Sequence, residues 1–196
     1  MKYKLTAETI VHNGVTLYRI QSLSNFNDVK VGDKGGWIEN ESNLSQYSDA
    51  WIYGNAMVYD NAKVFSHARV YDDAQVYGNA KVHDYAKVRN HAEVYDDAEV
   101  FGNAWICEKA RVYDNAWIYG NVEVYGDAQV YDDACIYEKA RVKVNAQVSG
   151  DARVYGDAWV YDDAEVYGNA KVYGEAEVYD NAKVYGNAHV CGDAFP

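Results

Sequence analysis

From Asp49 to Gly192 the chain repeats a six-residue unit 24 times with neither insertion nor deletion. Asn55-Ala56-Met57-Val58-Tyr59-Asp60 shows the pattern: a small polar residue, alanine, a variable residue, Val or Ile, usually Tyr, and a turn residue. The fourth position is Val or Ile in every unit, and the second is Ala in all but one, where Val122 replaces it. A fixed short period constrains architecture before any other signal. The apolar pair lies two residues apart, the period of a strand whose alternate side chains face opposite ways. A helix needs apolar residues three and four apart, and a strict period of six cannot hold those on one helical face. Each unit therefore reads as a short strand with Ala and Val inward and the third and fifth residues outward. Positions six and one, mostly Gly, Asp or Asn, form a corner, because these residues tolerate positive φ or cap their own backbone. A strand that bends every six residues must coil, and each coil must hydrogen-bond to the coils beside it.

This pattern, an aliphatic residue followed four positions later by a small one (Val58 and Ala62, Val64 and Ala68), resembles the hexapeptide-repeat superfamily. The resemblance implies an all-β fold, a single-stranded left-handed parallel β-helix with three hexads per coil. Twenty-four hexads then make about eight regular coils, a prism on the order of 38 Å long. One departure is systematic: the residue after the aliphatic is Tyr in 16 of 24 hexads.

Residues 1–48 lack the repeat. His12-Asn13-Gly14 between two β-type runs signals a hairpin. The chain accordingly divides into a hairpin cap over 1–36 and a β-helix over 37–196. Within the latter, 37–48 are irregular first hexads and 49–192 are regular. Ile38 and Leu44 are expected in register with the later Ala positions. The lead-in Phe26-Asn27-Asp28-Val29-Lys30, followed by Gly35-Gly36-Trp37-Ile38-Glu39, resembles the uncharacterised YdcK-like hexapeptide-repeat proteins of bacteria and prophages. At the other end, Val190, Cys191 and Phe195 (the last expected outward) are apolar beside an unpaired strand edge. End-to-end homodimerisation through residues 187–196 is the expectation there.

The net charge of −12 lies entirely within 49–196, since residues 1–48 carry five basic and five acidic groups. Such a rod repels nucleic acid and anionic lipid, so direct nucleic-acid or membrane binding is not expected. Acidic corners explain much of the charge, and an acidic mimic of DNA that occupies a nucleic-acid-binding protein is the alternative. Cys107, Cys135 and Cys191 occupy non-neighbouring coil positions, which argues for free thiols. With no long apolar run and no signal peptide, a cytoplasmic location is expected.

The superfamily is best known for acyltransferases and γ-type carbonic anhydrases, whose sites use histidines between trimer subunits and loops leaving the coil. Here His12 lies in the hairpin, His67 and His91 at different corners, and His83 and His189 outward on face three, so no three converge at zinc-ligand range. No P-loop, GxSxG or CxxC motif appears. Catalytic, cofactor and metal sites are therefore all expected to be absent, and an acyltransferase-like enzyme is the minor alternative.

Outward residues 18 apart stack as ladders. The third positions of face one read Trp51, Arg69, Lys87, Trp105, Glu123, Arg141, Trp159 and Glu177. Trp51, Arg69, Lys87, Trp105, Arg141 and Trp159 are the candidate partner-binding residues, since tryptophans flanked by cations suit a protein interface. Lys63, Arg69, Lys81, His83, Lys87, Arg89 and His91 read as a basic island. The function expected is a non-enzymatic scaffold that binds an unidentified protein through flat Tyr and Trp faces.

Overall fold

The computed structural model describes residues 1–192 and 194–196, and is all-β apart from one short 3-10 turn, Glu41–Asn43. Every regular hexad contributes a strand of two or three residues at its third and fourth positions, for example β4 (Trp51–Ile52), β5 (Met57–Val58) and β6 (Lys63–Val64). Strands 18 residues apart pair in parallel, Met57 with Gln75 and Val58 with Val76, and three sheets result, one per face. The product is a β-solenoid of about nine turns.

The repeat chemistry maps directly onto this geometry. The Met57 N–H donates to the Ala74 carbonyl at 2.9 Å and that of Tyr59 to Val76 at 3.1 Å, so each coil is bonded to the next by its backbone. From Ala50 to Val178 every second- and fourth-position side chain is at most 1% exposed, giving a solid interior of stacked Ala and Val. All 24 sixth positions have φ between 54° and 87°. Asp at such a corner also accepts the next corner's amide, as Asp60 Oδ2 does from Gly78 N at 3.2 Å and Asp132 Oδ2 from Gly150 N at 3.0 Å. Asn at position one bonds its neighbour in the column, Asn79 Nδ2 to Asp97 Oδ1 at 3.0 Å. Much of the acidic composition is thus corner chemistry.

At the amino-terminal end, β1 (Tyr3–His12) and β2 (Val15–Ser22) form the expected hairpin. β2 then pairs antiparallel with β3 (Lys34–Ile38), which pairs in parallel with β5, so the hairpin prolongs one sheet beyond the first coil. Gly35 and Gly36 permit this close approach: an added Cβ would lie 2.7 Å from the Ile52 carbonyl oxygen at the first and 2.5 Å from that of Ala56 at the second. Tyr3, Leu17, Ile20 and Val29 are buried here. Lys2 is buried too, its ammonium donating to the Ser48 and Ala50 carbonyls. Burial pulls its pKa down to about 8, with Asp49 pulling the other way.

Two register expectations are corrected. Ile38 pairs with Val58 and Leu44 bridges Val64, so both stand over aliphatic positions rather than over Ala. Leu44 and Ile52 are eight residues apart where the repeat has six, and the extra length forms a corner that leaves Tyr47 wholly exposed. Near the other end, Phe195 pairs with Val178 and its carbonyl accepts from Tyr179 N at 3.1 Å. That is the inward column, one residue out of step with the outward place expected, although Phe195 stays 41% exposed at the stack's end. Val190 is half-buried and Cys191 exposed. Among the described residues no helix is long and apolar enough to cross a membrane.

Candidate functional site

Face one assembles as its spacing demands. Trp51, Arg69, Lys87, Trp105, Glu123, Arg141, Trp159 and Glu177 are successive neighbours in one parallel ladder. Two tryptophans are each gripped by two cations. Over Trp105 stand Lys87 Nζ, 4.6 Å from the ring centroid, and the Arg89 guanidinium at 5.0 Å. Arg141 lies 4.8 Å from Trp159, and Lys143 Nζ 4.4 Å from Trp159 and 4.8 Å from Tyr161. Arg141 Nε also donates to Glu123 Oε2 at 3.1 Å, which fixes the guanidinium from the opposite coil. Each cation–π contact contributes about 0.5–1 kcal/mol at such exposure, enough to hold an indole in place without hiding it. Trp105 remains 37% exposed and Trp159 half-exposed.

Trp51 leaves the set of candidates. It is 1% exposed, beneath Tyr3 (ring centroids 6.1 Å) and Phe26 (5.4 Å), because the amino-terminal segment folds across the first coil of face one. Its role is to anchor the cap. Arg69, the next rung, is half-buried and occupied by Asp28 Oδ1 at 3.2 Å and the Tyr71 hydroxyl at 3.2 Å. It helps line a cleft of about 390 Å³ with Asn27, His67, Tyr85, Lys87 and Trp105.

The basic island is not one patch. Arg69, Lys87 and Arg89 share face one, whereas Lys81 and His83 sit on face three against Glu99 at 3.5 and 2.9 Å. His91 lies at a corner beside Asp73. His83 belongs to an aromatic column, its ring stacked between Phe65 (4.6 Å) and Phe101 (5.0 Å).

The fifth positions stack as expected. On face two Tyr59, Tyr77, Tyr95, Tyr113 and Tyr131 lie nearly parallel, with centroids 4.8–5.1 Å apart. Face three carries Tyr119, Tyr137, Tyr155 and Tyr173 at 4.7–5.3 Å. Desolvation in these stacks pushes the phenols of Tyr59, Tyr95 and Tyr137 up to about 12. The sequence reading overlooked Trp117, the most exposed tryptophan among the described residues at 50%, beside a face-three cleft of about 380 Å³. Its place in the third-position column, 18 residues from Glu99 and Cys135, is the sequence signal that marks it as outward.

Among the described residues no three His, Cys, Asp or Glu side chains group to hold a metal ion. Burial raises the Cys107 thiol above its ordinary pKa, with Arg89 opposing, so it is held in the less nucleophilic form. Cys107 is buried, Cys135 half-buried and Cys191 exposed, all unpaired.

Comparison with known proteins follows the repeat. The family described as YdcK beta solenoid repeat matches residues 50–64 and 146–162. A curated relative, "Uncharacterized acetyltransferase YdcK" of Escherichia coli (strain K12), is 49% identical over 39 residues. That stretch is 20% of this chain and 12% of the relative, so the match spans about an eighth of the relative's length.

Proposed function

We propose that this YdcK-like hexapeptide-repeat solenoid is a non-enzymatic scaffold that binds a protein partner through its flat outer faces, with face one as the principal contact. The observation that carries the reading is the pair of half-exposed indoles, Trp105 and Trp159, each held between two cations on a face from which no loop departs. Rigid aromatic anchors lose little conformational entropy on binding, which is why such residues dominate interface energetics. Arg69, Lys87 and Arg141 supply the polar setting. The test is affinity capture with the native chain and with Trp105→Ala combined with Trp159→Ala. Recovery of a partner by the first and its loss from the second, with little sensitivity to salt, is expected. Equal recovery by both sinks the reading.

The DNA-mimic alternative draws on the acidity of residues 49–196. Its weakness is that corner carboxylates such as Asp60 and Asp132 already accept backbone amides. Binding by mimicry should fall steeply with ionic strength, whereas aromatic docking should not. An acetyltransferase reading draws on the name of a relative matched over 20% of this chain. Saturable binding of acetyl-coenzyme A would favour it.

A further inference from the structure

We propose that Ser149 marks a slot for one tyrosine or tryptophan side chain of a partner, inserted as the missing rung of the face-two ladder. This deepens the scaffold reading and rests on it for the identity of the guest as protein. The fifth positions of face two run Tyr59, Tyr77, Tyr95, Tyr113, Tyr131, Ser149, Tyr167 and Tyr185. Rings on either side of the break stack, Tyr113 on Tyr131 at 5.0 Å and Tyr167 on Tyr185 at 5.4 Å. The backbone does not register the break. Tyr131 N donates to Val148 O at 3.0 Å and Ser149 N to Val166 O at 2.9 Å, so the coils keep their spacing. Tyr131 and Tyr167 therefore face each other across the height that one ring occupies elsewhere in the column.

The space is a cavity of about 220 Å³ lined by Tyr131, Gln147, Ser149, Glu165 and Tyr167. A cavity of about 150 Å³ suffices for benzene, so a phenol or indole fits. Face one offers a contrast. There Lys143 also replaces a tyrosine, but its own chain spans the gap to reach Trp159 and Tyr161. Serine is too short to do so.

The ladder also specifies the guest's polar end. Four rungs direct their hydroxyls to the third-position residue of the following coil wherever that residue is Gln or Glu: Tyr59 to Gln75, Tyr77 to Glu93, Tyr113 to Gln129, Tyr131 to Gln147. For a ring in the Ser149 place, that residue is Glu165. Its Oε1 takes Lys183 at 3.0 Å, which leaves Oε2 to accept a phenol O–H or an indole N–H. Phenylalanine has no donor to offer. Asp132, Asp133 and Asp151 at the adjoining corner favour a guest residue flanked by Lys or Arg rather than by acids.

The probes are the peptides Lys-Trp-Lys, Lys-Ala-Lys and Glu-Trp-Glu, followed by proton NMR against the full chain. Sandwiching between two phenols moves indole resonances upfield. Saturable upfield shifts for Lys-Trp-Lys, weaker ones for Glu-Trp-Glu and no binding of Lys-Ala-Lys are expected. Stacking on two faces is worth roughly threefold to tenfold per face. Ser149→Tyr, which fills the slot from within, should weaken Lys-Trp-Lys at least tenfold, and Ser149→Ala should leave it unchanged. Tyr167→Ala removes one wall and should weaken it threefold to tenfold, which keeps the proposal testable if the tyrosine variant fails to fold. Undiminished binding to Ser149→Tyr or to Tyr167→Ala overturns the slot, as does equal binding of Lys-Ala-Lys. Trp105→Ala with Trp159→Ala should leave these shifts intact, so failure of the face-one reading and failure of the slot are distinguishable.

Discussion

Val144 is the one β-branched residue among the 24 corners, and its φ of 64° lies in the left-handed region. That conformation costs a β-branched residue about 1–2 kcal/mol, since its branched Cβ crowds the following carbonyl. Little offsets the strain, because Val144 is 41% exposed. Val144→Asn places a tolerant side chain there. Asn90 holds the same column three coils earlier at φ 62°, and its Oδ1 accepts from Glu108 N at 3.4 Å. Relief of strain, less roughly 0.5–1 kcal/mol of lost apolar burial, leaves a net stabilisation of about 0.5–1 kcal/mol. For a chain of this size that raises the melting temperature by roughly 1–4 °C, read by far-ultraviolet circular dichroism. The companion change runs the other way. A Cβ at Gly126 would stand 2.7 Å from both Val144 N and Val144 O, on a backbone at φ 78°, so Gly126→Ala should destabilise by about 2 kcal/mol or more. An unchanged or lowered melting temperature for Val144→Asn would refute the assignment of strain to this corner.

Four further outcomes follow from the same geometry. Trp51→Ala should destabilise by about 3–5 kcal/mol as a buried anchor, while Trp105→Ala should stay within about 1 kcal/mol, a difference denaturant titration resolves. Val112→Asp places an unpaired charge in the solid interior, and loss of the β-type dichroism is expected; a folded variant would argue against a packed core. The folded chain holds the protons of Tyr59, Tyr95 and Tyr137 up to about 12, against about 10 when unfolded, so their contribution to stability is whole below pH 10 and drains as pH rises towards 12. Residue-resolved NMR should therefore show ionisation of these three phenols together with loss of dichroism, and titration of Tyr59, Tyr95 and Tyr137 near pH 10 in a persistently folded chain would contradict this. Among the described residues the strand His189–Cys191 pairs on one side only, and we propose self-association through Val190, Cys191 and Phe195; light scattering that finds monomer at high concentration disposes of it.

The regular coils were legible because the local chemistry repeats without conflict: Ala and Val at period two, a left-handed corner at every sixth residue, and ladders at 18. The errors of register and burial lie where the regular hexads meet the irregular ends. Trp51 occupies an outward place in its hexad, and nothing within the hexad records that Tyr3 and Phe26 come to lie over it. The six-residue period does not carry back from Ile52 to Leu44, because the corner between them takes two extra residues. Phe195 follows the hexad count in sequence, but a large ring at the end of the stack pairs with Val178 instead. For the surface, the columns could be read off, but exposure could not: Trp51, Trp105 and Trp117 share a hexad position and are 1%, 37% and 50% exposed. The break at Ser149 was visible as a letter. Its meaning depends on the rings above and below keeping their places.

Hydroxyl-radical footprinting of the chain in extract from its source cell tests whether a partner docks on the face-one indoles. Oxidation of Trp105 and Trp159 is expected to fall in extract, relative to buffer of matched scavenging capacity, while that of Trp117 on face three is unchanged. Oxidation of Trp105 and Trp159 that is the same with and without extract contradicts it.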